Sequence, residues 1–447
     1  MFAAPPLEKP LSLAIIGGGI AGLTLTIAVL KHAPHISITL YESAAAFGEI
    51  GAGVGFEPVM VRTMGRIDSR IATAFEKCNK GNTVTDPPRW FVLRVGDKRK
   101  IIDASQEEVV LDKGPGNRKV KLGEELFVMP AHSGPRGGVH RAHFLDELVK
   151  LVPGGITQFK KRLLNVTEAD DGSGDAVLHF ADGTTAQHTA VLGCDGIKSR
   201  TRALVLGESD ATSAVFSGKY AYRGLIPMEK AVEIMGDDQP RTAQMYVGYH
   251  GHVLTFPIAH GTILNVVAFS SRPTWTDPKW VVQTSRVEML EDYKDWSPAV
   301  RNLIANVQSP DIWALFNHPP APTYYSTKPL ICLVGDAAHA STPHQGAGAG
   351  MCIEDVYVLS SLLSSCKSSS DLVNAVHAYD AVRRPRSQKL VKTSREAGML
   401  WEFEGDGIGD DLGALEQNAL KRMDWIWNHD ITEDLDRARE IVRDGDR

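Results

Sequence analysis

The sequence predicts an α/β fold: a Rossmann-like three-layer domain, an inserted mixed β-sheet domain and a helical C-terminal part. Three observations carry this. Apolar runs suited to strands of one parallel sheet recur far apart, near residues 15, 192 and 332. Between the second and third, from about 216 to 269, strand patterns dominate and helical ones are scarce. From Met351 onward the apolar spacing is mostly helical. Continuously apolar runs are what a parallel sheet buried on both faces requires. The partition assigns residues 1–75, 131–212 and 326–365 to the three-layer domain. Residues 76–130 and 213–325 fall in the inserted domain, and 366–447 in the helical part.

A chain of 447 residues suits two large folding units or about three ordinary ones. With 43% hydrophobic and 23% charged residues it can build a sizeable core, which excludes a disordered chain. Lys and Arg number 48 against 54 Asp and Glu, giving a net charge of −6 without any basic block. That balance argues against nucleic acid or an anionic membrane as partner. Five scattered cysteines with no C-x-x-C pair suggest neither a disulfide framework nor a zinc site, so no metal is expected. No apolar stretch reaches the roughly 18 residues that cross a bilayer. The run from Leu11 to Ile16 ends in glycines and lacks the flanks of a signal peptide. A cytoplasmic protein, monomeric or homodimeric, is the expectation.

The elements follow in order. Leu11 to Ile16 is a short strand, Ile20 to Leu30 has helical spacing, and Ile36 to Tyr41 is a second strand ending at Glu42. Gly17-x-Gly19-x-x-Gly22 joins strand to helix, and Glu42 follows at the spacing of a dinucleotide fingerprint. Gly17 makes the tight turn, and Gly19 lets a pyrophosphate approach the helix N-terminus. Gly22 lets helix and strand pack, and Glu42 accepts hydrogen bonds from a ribose diol. Next comes a glycine-dense loop, Phe47 to Gly55, whose backbone runs close to a neighbour. Arg141 to Leu151 reads as an amphipathic helix, and Leu163 to Val166 and Ala176 to Phe180 as strands. Ala190 to Cys194 is a buried strand ending in Asp195-Gly196. Tyr220 to Ile226, Val253 to Ile258 and Ile263 to Phe269 are strands of the inserted domain, Leu330 to Val334 is the third buried strand, and Ser364 to Ser370 is a surface loop.

After that third strand comes Gly335-Asp336-Ala337-Ala338-His339, then Pro343-His344-Gln345-Gly346-Ala347-Gly348-Ala349-Gly350. Asp336 is placed to bind a polar linker such as ribityl hydroxyls. By itself it reads equally as a helix cap. The glycine turn opens a helix whose positive end can hold an anionic flavin edge. His339 and His344 also read as packing histidines.

The fingerprint, Asp195-Gly196 with Ser199-Arg200, and the Gly335–Gly350 string together resemble the single-component FAD-dependent aromatic hydroxylases, in order and spacing over nearly the whole chain. The resemblance implies bound FAD in the three-layer domain, NADH or NADPH as co-substrate without a second dinucleotide fold, and O₂ with a small aromatic substrate. The FAD-binding residues it implies are Gly17, Gly19, Ile20, Ala21, Gly22, Glu42, Ser43, Gly55, Arg141, Asp195, Asp336, Gly348 and Ala349.

Within that family Tyr222–Glu229, Met245–Ile258 and Ile263–Phe269 are similar to salicylate hydroxylases. This implies Met245, His252 and Phe256 as substrate contacts. The implied chemistry is transfer of oxygen from a flavin C4a-hydroperoxide to the ring, releasing CO₂ from salicylate and leaving catechol. His344 is the candidate base for the phenol and Arg223 the candidate partner of its carboxylate or phenolate; both also read as structural residues. The alternative is the fungal phenol-dearomatising hydroxylases of polyketide biosynthesis, which often carry tyrosine at the position of Phe256. A flavin amine oxidase or dehydrogenase would share the first fingerprint but lack the Gly335–Gly350 string.

Overall fold

The computed structural model describes residues 9–48, 53–80, 88–98, 101–103, 108–110, 119–134, 136–308 and 311–445. Its first sheet is built around the strand Ser12–Ile16, whose Leu13, Ala14 and Ile15 are all fully buried. This strand pairs in parallel with Ser37–Tyr41 on one side and Ala190–Gly193 on the other. Ala190–Gly193 pairs in turn with Leu330–Leu333, also in parallel. Thr157–Gln158 and Tyr325–Thr327 complete the edges. Tyr325–Thr327 runs antiparallel to its neighbour, unlike the rest. Only Lys328 and Pro329 separate the two strands, and a link that short permits no parallel crossover.

Alternation along these strands sends side chains into two separate cores. Leu13 and Ile15 join the core with helices Ile20–His32 and Gly348–Leu363. Ala14, Ile16, Val191 and Ile331 pack instead against Val166, Leu178 and Phe180. Those residues belong to a three-stranded antiparallel sheet of Leu163–Glu168, Ala176–Phe180 and Thr185–His188. The three layers are therefore helix, parallel sheet and antiparallel sheet.

Among the described residues the second large sheet has eight strands, with Val215–Pro227, Ile263–Ser271, Gly251–Ile258 and Gln244–Gly248 adjacent at its centre. It is mixed because Gln244–Gly248 pairs in parallel with Arg89–Val95. Tyr222, Val253, Leu264, Val266 and Ala268 point to one face and are covered by helices Met228–Met235, Arg286–Asp292 and Pro298–Ala305. The intervening Arg223, Leu254, Phe256, Asn265, Val267 and Phe269 point to the opposite face, toward the first domain. The glycine-dense segment is not all loop: Gly53–Phe56 is a strand paired with Gly137–His140, while residues 49–52 lie outside the described ones. The serine-rich patch is a loop only to Ser368, which caps the long helix Ser369–Trp401 through a reciprocal pair with Asp371.

The long helix is anchored by buried charge. The Arg383 guanidinium, with no exposed surface, meets Asp355 at 3.0 Å, Glu354 at 2.8 Å and Asp434 at 2.8 Å. These partners come from helices Gly348–Leu363 and Ile431–Gly445. Removing one member of a buried cluster leaves the others desolvated and uncompensated. Arg383→Met should accordingly destabilise the fold by about 3–5 kcal/mol, read from the denaturant midpoint. A loss under about 1 kcal/mol would show that the three acids are satisfied without it.

Candidate active site

Between the two sheets lies a cavity of about 980 Å³. Four acids (Glu42, Glu57, Asp195 and Asp336) and nine Lys and Arg side chains line it. In a chain of net charge −6, this local excess of cations suits an anionic ligand.

One end is the fingerprint turn. Gly17 has φ +102°, and a Cβ there would lie 2.5 Å from the Cys194 carbonyl oxygen. A Cβ on Gly22 would collide with the Gly17 carbonyl, so that glycine packs helix on strand and does not line the cavity. Around Gly19 a Cβ would meet nothing within 4 Å. The backbone here is open to close approach, at a helix start with no side-chain cap and no acid in its first turn. Glu42 accepts hydrogen bonds from Gly18 N–H and Ala44 N–H, both at 2.7 Å, which shapes the turn. Ile20, Ala21, Ser43, Gly55 and Arg141 also line this space, Arg141 as the first residue of helix Arg141–Val149.

The Gly335–Gly350 segment closes the cavity from another side. Asp336 is exposed, and among the described residues its helix, Asp336–His339, has no side-chain cap hydrogen bond. Gly348 and Ala349 open helix Gly348–Leu363, again without a capping side chain or first-turn acid. Asp195 lines the cavity too, but its carboxylate is engaged locally. It accepts from the Ser199 and Thr201 hydroxyls at 2.6 Å and from the Arg200 and Thr201 N–H groups at 2.7 and 2.9 Å. Arg202 joins the two motifs: from within the core it donates to the carbonyls of Ala337 at 3.1 Å and Ala338 at 2.6 Å. The sequence reading passed over Arg202, although it lies two residues past the Ser199-Arg200 pair that was singled out. Two uncapped helix starts, an open glycine backbone and surplus cations fit FAD. Gly19, Glu42, Arg141, Asp336, Gly348 and Ala349 all line that space.

The inserted sheet forms the remaining wall. Met245, Leu254, Phe256, Val267 and Phe269 are apolar lining residues, and the Phe256 ring lies against Gly53 and Gly138. Arg223 is half-buried among them, its guanidinium 4.8 Å from the Trp313 ring centre. No carboxylate among the described residues forms an ion pair with it, and burial lowers its pKa to about 10 with help from Arg141. Asn265, which the sequence reading did not select, is buried beside it with its Nδ2 unpartnered.

His344 stands in the wall, packed on Gly398, where a Cβ would be 2.7 Å from the ring. Burial, then neighbouring His252, lowers its pKa to about 3, so the imidazole is neutral at physiological pH. His252 is not a wall residue. It is fully buried and stacked 4.2 Å from the Phe269 ring, which places it behind the lining expected of a substrate contact. Glu57, absent from the sequence reading, caps helix Pro58–Ile67 at the cavity edge, and burial raises its carboxyl to about 7. Among the described residues no helix is long and apolar enough to cross a membrane.

Comparison with known proteins shows which families the chain resembles. Residues 321–394 match the FAD binding domain family. A salicylate hydroxylase of Pseudomonas putida is 37% identical over 443 residues, covering 96% of this chain and 95% of that protein. The 6-methylsalicylate 1-monooxygenase atA of Aspergillus terreus is 39% identical, with 94% and 90% coverage. The FAD-dependent monooxygenase pigN of Monascus ruber is 39% identical, with 98% of each chain covered. A solved salicylate hydroxylase substrate complex superposes with a TM-score of 0.80 at 32% identity, over 96% of this chain and 98% of that one.

Two outcomes test the site. Asp336→Ala should give a folded protein that retains FAD about tenfold more weakly, since a polar contact to ligand is lost and no cap is. Full retention with a lower melting temperature would show a structural role instead. In the flavin-free protein, Glu57 binds a proton between its unfolded value of 4.5 and about 7, where the unfolded chain does not. Its contribution to stability therefore falls as pH rises through that window and levels off above it. Glu57→Gln should flatten that slope in denaturation midpoints, and an unchanged slope would assign it to other groups.

Proposed function

The chain belongs to the FAD-dependent monooxygenases of the salicylate hydroxylase type, and from that premise we propose that it hydroxylates a small phenolic acid, converting salicylate to catechol and CO₂. The observation that supports this reading is Arg223, a cation without an ion-pair partner among the described residues, set in an apolar wall of Met245, Leu254, Phe256 and Phe269. Such a wall takes an aromatic ring, and a guanidinium takes its carboxylate in a paired, charge-assisted contact.

When bound and reduced by NADH or NADPH, FAD would supply the activation of O₂, from which the inserted oxygen atom comes. The chain binds, orients and excludes water. Gly19 and the Gly348–Ala349 turn offer backbone N–H groups to an anionic cofactor, and Asp336 and Glu42 offer acceptors to its hydroxyls. Arg223 would hold the ring through its carboxylate and so fix the orientation of the carbon bearing that group. Oxygenation at that carbon lets the C–C electron pair return to the ring as CO₂ leaves, which restores aromaticity. His344, neutral in the wall, takes the phenolic proton at a ring nitrogen and so enriches the ring for attack.

With the FAD-loaded protein, carboxyl-labelled salicylate should give one labelled CO₂ per catechol formed, and 6-methylsalicylate should be tried beside it. A non-aromatic ketol retaining every carbon of an alkylated phenol would point instead to dearomatisation. Arg223→Met should raise KM for salicylate by at least about tenfold, the scale of one lost charge-assisted contact. An unchanged KM would remove Arg223 from the site.

A further inference from the structure

A line of titratable groups runs from the cavity wall to solvent, and only its first member, His344, enters the reaction described above. Ring atoms of His344 and His252 and a carboxylate oxygen of Glu402 lie within 4.8 Å of one another, all buried. His252 Nδ1 is 3.0 Å from Glu402 Oε1; as a donor there it leaves Nε2 an acceptor, and Nε2 has no partner in the protein. The other Glu402 oxygen accepts from the Lys219 ammonium and from Ser271 Oγ. Lys219 also donates to Glu404 at 2.6 Å and to Ser271 Oγ at 2.7 Å. Glu404 meets His250 Nδ1 at 2.7 Å, and the His250 side chain is 65% exposed. Tyr293, which also feels the Glu402 charge, commits its hydroxyl to the Phe269 carbonyl and stands outside the line.

We propose that His344, His252, Glu402, Lys219, Glu404 and His250 form a relay that carries the phenolic proton of the bound substrate to solvent. The proposal rests on the function proposed above. The phenol O–H bond breaks and an N–H bond forms on His344. The proton on the other nitrogen of His344 passes to Nε2 of His252, whose ring centre lies 5.4 Å from that of His344. His252 Nδ1–H moves to Glu402. Lys219 gives one of its protons to Glu404 and takes the one on Glu402, and Glu404 releases its proton to His250 and water. One proton reaches solvent, each group regains its starting charge, and the phenolate stays near Arg223.

Burial holds His344 and His252 low, and His252 with Lys219 outweigh burial to hold Glu402 down to about 2, so no inner station retains the proton. The same three residues have spacing that suits a metal ion, but the Lys219 ammonium already occupies Glu402, and a second cation there would face it directly.

The test uses 5-nitrosalicylate, whose phenolate is coloured, mixed with FAD-loaded protein in a stopped-flow instrument without NADH and in weak buffer. Wild type should bind it and form phenolate as a pH indicator reports the released proton. Glu402→Gln and His252→Phe should bind with similar affinity but form phenolate slower by about tenfold or more. Glu404→Gln, at the partly exposed exit, keeps the inner core and should slow release several-fold, with added imidazole restoring the rate. That rescue distinguishes a relay from a merely structural role. Equal rates in wild type and all three variants would overturn the relay while leaving the proposed function standing. Failure of the wild type to bind the probe would overturn the proposed function and the relay together.

Discussion

Asp355 is the constraint on which the site depends. One of its oxygens accepts from the Gly335 N–H at 3.2 Å and from His339 Nε2 at 2.5 Å, and the other meets Arg383 at 3.0 Å. A single buried carboxylate thus fixes both ends of the Gly335–His339 turn and ties them to the long helix. Neighbouring cations hold its pKa below the usual carboxylate range against the cost of burial, so it stays charged. Asp336 can face the cavity because the structural work of that turn is done by an acid nineteen residues later in the chain. The long helix then supplies Gly398 beneath the His344 ring and Ser394, whose hydroxyl donates to the Thr342 carbonyl at 2.7 Å.

The inserted sheet separates its two duties by alternation. One face packs mainly apolar side chains under three helices, and the other lines the cavity. Two-residue periodicity alone puts Arg223, Asn265 and Phe269 on the same side as Leu254 and Phe256. It also puts His252 on that side, yet Phe269 and the C-terminal segment cover it. Facing the cavity and reaching it are different properties, and the second depends on what chain comes afterward.

That distinction explains what was legible in the sequence. The glycine fingerprint and the Gly335–Gly350 string are local: turn, helix start and close approach are set within a few residues, so their roles follow from spacing. Strand identity was legible too, because continuous and alternating apolar runs record how many faces are buried. The antiparallel edge Tyr325–Thr327 was missed because three residues carry no period. Arg202, Glu402 and Lys219 were missed for another reason. Lys219 meets Glu402 across 183 residues and Arg202 meets Ala337 across 135, so no local pattern records either pairing. His252 was read as a substrate contact because nothing near it in the chain announces Glu402.

The interleaving of the first sheet has a consequence for how the molecule assembles. Ser12–Ile16 needs Ala190–Gly193 beside it, and that strand needs Leu330–Leu333, so the sheet joins segments separated by well over a hundred residues at each step. High contact order of this kind slows folding and leaves strand edges open in the interval. On the ribosome, the glycine turn emerges long before the strand and helix that complete its cavity. The cavity is complete only once those late segments are in place, and strand edges left open in the interval are templates for pairing with another chain.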